Sequence, residues 1–85
     1  MNKYIVISNH SDADCTRAIK ETLAIGYLTH YEWGCKDGVH TGWATLEAEN
    51  KDEAMLSVPT FLRSQAKVVM LTKFEPGKTH KEQKK

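Results

Sequence analysis

Alternating apolar positions mark Lys3 to Asn9 (KYIVISN) as a β-strand. Ile5 and Ile7 point one way, Tyr4 and Val6 the other, so both faces are apolar, as in a strand covered on both sides. The period then changes. Ser11 reads as an N-cap, with Asp12 and Asp14 placing negative charge in a first helical turn. Cys15, Ala18, Ile19, Thr22 and Leu23 follow at helical spacing, and Gly26 is the usual left-handed stop. The spacing predicts a helix over residues 12–25.

Residues 27–48 read as a hairpin. YLTHYEWGC is aromatic and β-prone, Asp37-Gly38 is the favoured pair for a two-residue turn, and HTGWATLEAE is a second strand. With that turn, residues whose numbers sum to 75 face each other: Glu32 opposite Trp43, His30 opposite Thr45, Trp33 opposite Gly42 and Cys35 opposite His40. A longer turn would shift this register. Tyr31, Trp33, Cys35, Ala44 and Leu46 then share one side, and His30, Glu32 and Trp43 the other. Tyr27, Tyr31 and Trp33 are expected to pack under the helices.

Asn50 to Glu53 (NKDE) is a capping box opening a second helix, with Ala54, Met55, Val58, Phe61 and Leu62 on its apolar stripe. Pro59 removes a backbone donor inside that stripe and should kink or split the helix. AKVVMLTKF is a last strand, again apolar on both faces. The order β-α-β-β-α-β predicts an α+β, ferredoxin-like βαββαβ sandwich: a four-stranded antiparallel sheet with two helices on one face. One domain spans residues 1–75, and residues 76–85 read as a solvated tail. With the outer strands apolar on both faces, a lone sheet would expose Tyr4 or Ile5, Val6, Trp43 and Met70 together. The expected resolution is a homodimer through the open sheet face.

The element order and the stretch GWATLEAENKDEA resemble the dimeric α/β-barrel superfamily, with the junction similar to that of muconolactone-isomerase-like, YCII-related and other small bacterial families. The resemblance covers residues 3–75 as architecture and only this junction as local sequence. It implies a fold shared by heme-dependent and cofactor-free oxygenases, isomerases and ligand-sensing domains, and so selects no activity.

Composition and charge narrow the field. The chain has 85 residues, enough for one core. No apolar run approaches the length of a bilayer span, and MNKYIVIS is too short for a signal peptide. Residues 76–85 carry net +3 and residues 1–75 net −2, so the fold itself lacks the basic face of a nucleic-acid binder. Two cysteines without an export signal suit a cytoplasmic chain with free thiols. No membrane, nucleic acid or cofactor is expected.

Two groups of residues carry candidate chemistry. In the expected strand order, His10, Cys35 and His40 fall at three strand ends on one sheet edge, beside Asp12 and Asp14. Imidazole, thiolate and carboxylate together suit a Zn²⁺-like ion, although the spacing fits no named zinc motif. The plainer reading makes them loop-end polar residues with Cys35 a small filler, and it expects Zn²⁺ to leave the melting temperature unchanged. His30 and Glu32 lie two apart on one strand face, where the carboxylate would hold the imidazole ready as a general base and Trp43 would supply an apolar wall. The plainer reading is a polar pair sealed under a second subunit. Arg63 would meet a ligand carboxylate, or else act as a dipole partner in a last helical turn.

The leading expectation is a small cytoplasmic homodimer that binds a small-molecule ligand or assembles with a partner. The alternative is a cofactor-independent isomerase or monooxygenase using His30 and Glu32. The third is a metal-binding domain built on His10, Cys35 and His40.

Overall fold

Strand pairing decides the architecture. In the computed structural model, which describes residues 1–76, β1 (Asn2–Asn9) pairs antiparallel with both β3 (Thr41–Ala48) and β4 (Ala66–Leu71). The short β2 (Tyr31–Trp33) adds antiparallel to the outer edge of β3, giving one sheet in the order β2-β3-β1-β4. α1 (Cys15–Ala24) follows β1, and α2 (Lys51–Met55) follows β3. The chain is thus an α+β fold on a four-stranded antiparallel sheet. Among the described residues no helix is long and apolar enough to cross a membrane. The expected tail lies outside the described residues from 77 onward.

The first strand alternates as expected, and its pleat sorts the sheet into two faces. Tyr4, Val6 and Ser8 are buried, packed beside Ala44 and Val68 of the neighbouring strands and beneath Ala18, Ala54, Val58 and Leu62 of the helical segments. Tyr31 is buried with them, and Tyr27 and Trp33 pack partly buried against this core. The other face carries Ile5, Ile7, Trp43, Val69 and Leu71. The expected exposed set is corrected in part. Val6 is fully buried, because it lies under the helices between Ala44 and Val68. Met70 is exposed but shares the face of Tyr4, its cross-strand partner.

Local physics explains the helical segments. Asn50 caps α2 by accepting a hydrogen bond from Glu53 N–H at 2.8 Å, and Glu53 in turn accepts from Glu49 N–H. Pro59 splits the second helical segment: α2 ends at Met55, and a 3₁₀ segment, Thr60–Gln65, begins after the proline. Asp12–Asp14 forms a 3₁₀ turn before α1, with Ser11 at its N-cap but no side-chain bond. Gly26, at φ 87°, stops the helix in the left-handed region.

The hairpin keeps its expected register by a different turn. Tyr31↔Ala44, Glu32↔Trp43 and Trp33↔Gly42 are paired. The connection is not a two-residue turn; it is a 3₁₀ turn, Cys35–Asp37, closed by Gly38 at φ 80°. Gly34 N–H donates to Thr41 O at 3.0 Å and Val39 N–H to Gly34 O at 3.0 Å, so residues are added evenly to both sides and the register survives. The ladder stops at Tyr31. His30 therefore ends a 3₁₀ turn, Leu28–His30, and does not face Thr45.

Gly42 is required by contact with an aromatic ring. A Cβ there would stand 2.7 Å from Trp33 Cζ3 and 3.0 Å from Tyr31 Cδ2, inside van der Waals contact. Tyr31 and Trp33 stack at 5.1 Å between centroids, so neither ring yields alone. Gly42→Ala is expected to destabilise the fold by about 1–3 kcal/mol. Urea unfolding followed by tryptophan emission checks this, and wild-type stability in the variant would show that the rings can move aside.

Candidate functional site

One end of the sheet gathers four ligand-type side chains. His10 follows β1, and its N–H donates to His40 O at 3.1 Å, carrying the β1–β3 ladder one step past Asn9↔Thr41. The hairpin loop then holds Cys35 on one side and His40 on the other. The turn over Asp12–Asp14, closed by Asp14 N–H to Ser11 O at 3.0 Å, returns the chain so that Cys15 opens α1 beside them. One ligand atom from each of His10, Cys15, Cys35 and His40 lies within 4.8 Å of all the others.

His10, Cys35 and His40 meet as the strand order leads one to expect, and Cys15, absent from that expectation, joins them. Its signal was the placement of Cys15 at the start of the first helix, next to the same sheet edge. Helical spacing had assigned it to the buried stripe, whereas it is only half-buried.

Contacts within the cluster are close. Cys15 Sγ and Cys35 Sγ stand 2.6 Å apart, and Cys35 Sγ stands 3.3 Å from His10 Nε2. Both cysteines are free thiols. The His10 ring lies 5.8 Å from that of His40 and 5.9 Å from that of Trp33. Asp12 Oδ1 approaches His40 Nε2 at 3.5 Å, an outer carboxylate of the kind that orients ligand imidazoles. His10 Nδ1 and His40 Nδ1 are buried without a hydrogen-bond partner among the described residues, as is Trp33 Nε1. Such orphaned atoms are uncommon and call for a physical cause.

Burial, reinforced by His40, pulls the His10 imidazole below its ordinary value. Burial and the neighbouring Cys15 push the Cys35 thiol up to about 11. His10 is therefore neutral at pH 7, a lone pair free to bind an acceptor, while Cys35 keeps its proton until something displaces it.

The other candidate residues are not assembled into a site. His30 and Glu32 are both exposed, and no hydrogen bond joins them. The His30 ring instead lies 5.5 Å from that of Tyr27. Glu32 does face Trp43 across the strands. Arg63 donates its Nε–H to Val58 O at 2.9 Å, which ties it back across Pro59 to the bend before its helical segment. A pocket of about 250 Å³, lined by Lys3, Leu71, Thr72 and Lys73, includes none of these residues.

The chain matches no family model, no curated protein and no solved structure.

The two shifted groups set a pH window for the metal-free fold. His10 is lowered from 6.5, so its contribution is full above that pH and is lost as the pH falls. Cys35 is raised from 9.0 to about 11, so its contribution is full below pH 9 and is lost as the pH climbs toward 11. Urea midpoints of chelator-treated, reduced protein are expected to be highest between these limits. His10→Gln should flatten the acid limb, and an unchanged acid limb would place the titration elsewhere.

Proposed function

We propose that this chain is a metal-binding domain whose ion is held by His10, Cys15, Cys35 and His40. The carrying observation is the convergence of two imidazoles and two thiols, drawn from four separated points of the chain, within 4.8 Å. Two nitrogens and two sulfurs are the tetrahedral donor set of Zn²⁺. With bonds of ~2.3 Å to sulfur and ~2.0 Å to nitrogen, the sulfur–nitrogen edge of such a tetrahedron is ~3.5 Å. The 3.3 Å between Cys35 Sγ and His10 Nε2 agrees. The sulfurs, 2.6 Å apart, would separate by ~1 Å on binding. Four protein ligands leave no open position, so the ion is structural or stored, not hydrolytic. The sequence order and the sheet order support placing this centre on a ferredoxin-like sandwich of the dimeric α/β-barrel type.

The short Sγ–Sγ contact also favours a second reading, in which Cys15 and Cys35 form a disulfide. That step removes two protons and two electrons and needs a thiol oxidant such as peroxide or another disulfide. The two readings part on a thiol count. Zinc binding leaves both thiols recoverable after chelation, and the disulfide leaves neither until reduction.

The test is titration of the reduced protein with Zn²⁺. One equivalent is expected to bind and to raise the melting temperature, by mass action on the native state. Co²⁺ in its place should give the intense visible absorption of tetrahedral thiolate coordination. Cys15→Ser and Cys35→Ser should each weaken binding by at least tenfold, while His30→Gln leaves it unchanged. Both thiols must lose a proton to bind, so affinity should rise by as much as about a hundredfold per pH unit while both are protonated. Full-strength binding by Cys15→Ser would remove the fourth ligand and the proposal with it.

A further inference from the structure

The two imidazoles of the cluster do not present the same atom to it. His10 meets the cluster through Nε2, which stands 3.3 Å from Cys35 Sγ. In His40 that atom is turned elsewhere: Nε2 stands 3.5 Å from Asp12 Oδ1. Asp12 is outside the group of four whose ligand atoms converge, and its side chain is 89% exposed. The His40 ring thus sets Nε2 toward the carboxylate and the solvent. Its other nitrogen, Nδ1, is buried and has no hydrogen-bond partner among the described residues. A neutral imidazole has one N–H and one lone pair, on different nitrogens, so whatever holds the proton at one atom frees the other.

We propose that His40 binds the ion through Nδ1 while His10 binds it through Nε2, and that Asp12 is the positioning residue that makes this choice. The inference rests on the metal-binding reading. An ionised carboxylate only accepts hydrogen bonds, so Asp12 holds the His40 proton on Nε2. The lone pair is then left on Nδ1, and the ring is oriented with that lone pair inward. The two rings meet edge to face, 5.8 Å apart at 64°, and so offer different edges to a shared centre. Their backbones start side by side, joined by the bond from His10 N–H to His40 O. Asp12 owes its place to the 3₁₀ turn Asp12–Asp14, whose end delivers Cys15 to the cluster. One short turn therefore provides both a ligand and the partner that orients another ligand. Asp14 has the same charge in the same turn but forms no ion pair with His40 among the described residues.

Long-range proton–nitrogen correlation spectra of the isotope-labelled full chain, loaded with Zn²⁺, identify the bound nitrogen of each ring. Nδ1 is expected for His40 and Nε2 for His10. In the metal-free protein the neutral His40 ring should hold its proton on Nε2. Asp12→Asn should weaken zinc binding about tenfold, as the loss of an orienting partner does. An amide can accept or donate, so the same variant should let the metal-free His40 ring populate both tautomers. Asp14→Asn removes an equal charge from the same turn; it should cost clearly less affinity and leave the His40 tautomer as it was. Circular dichroism melts of the metal-free variants check that each keeps the fold. Zinc bound through Nε2 of both rings overturns the inference and leaves the metal centre standing. So does an Asp12→Asn variant that binds zinc at full strength with an unchanged tautomer. A wild-type chain that takes up no zinc overturns the metal centre itself, so the two failures are told apart.

Discussion

The antiparallel pairing of β1 with β3 is the constraint on which the rest of the molecule depends. It runs from Asn2↔Ala48 to Asn9↔Thr41, and the His10 N–H to His40 O bond extends it one residue beyond both strands. That bond places two imidazoles side by side at the sheet end. The same pairing sets the pleat, so it also decides that Val6 is core and that Ile5 and Ile7 are not. A register slip of one residue would exchange those roles and separate the histidines. The core and the cluster therefore share one geometric origin, to which β2 and β4 add Tyr31 and Val68 on the core side.

Much of this was legible in the sequence where local chemistry and pattern agreed. The alternation of KYIVISN, the Asn50 cap, the Gly26 stop and the break at Pro59 are each decided within a few residues, and each is found. The pairing of Glu32 with Trp43 was also legible, although for an incomplete reason. Asp37-Gly38 suggested the tightest turn, but the loop adds a 3₁₀ turn on one arm and a matching extension on the other. His30 was misplaced because β-propensity runs past Tyr31, while the chain must bend there to leave α1. Propensity cannot register that tertiary demand. Cys15 was missed for a related reason: helical periodicity describes a face, and a residue in the first turn belongs as much to the sheet edge below as to the stripe.

The core beneath the helices is built from small side chains. Ala18, Ala44, Ala48 and Ala54 are buried in it beside Val6, Val58 and Leu62, with Tyr4 and Tyr31 as its large members. Small residues let the helical segments approach the sheet closely, but each buries little apolar area. At roughly 25 cal/mol per Å², alanines contribute much less than the leucines and isoleucines of a larger domain. Domains somewhat smaller than this one commonly supplement such a core with a covalent, metal or subunit tie. The features that burial alone leaves unexplained, the orphaned imidazole nitrogens and the two-sided apolar strands, lie where such ties would act.

The weakest attachment in the fold shows where a tie has most effect. α1 buries only Ala18 and Thr22, and the Thr22 hydroxyl is used internally, donating to Ala18 O at 2.7 Å. Its other anchor is Arg17, whose guanidinium lies 3.8 Å from the Phe61 ring centroid. Ala18, Thr22 and the half-buried Ile19 give a ten-residue helix a small buried face, and the partly solvated cation–π contact adds only about 0.5–1 kcal/mol at an exposed site. Cys15 opens this helix and is its one member of the four-residue cluster. The other three members stand on β1 and on the hairpin, which the sheet already fixes relative to each other. A bond through Cys15 therefore adds to the sheet little that it lacks, and gives α1 the anchor that its own sequence does not provide. On the proposed reading a bond through Cys15 would clasp the first helix to the sheet, and the state of the cluster would set how firmly that helix is held.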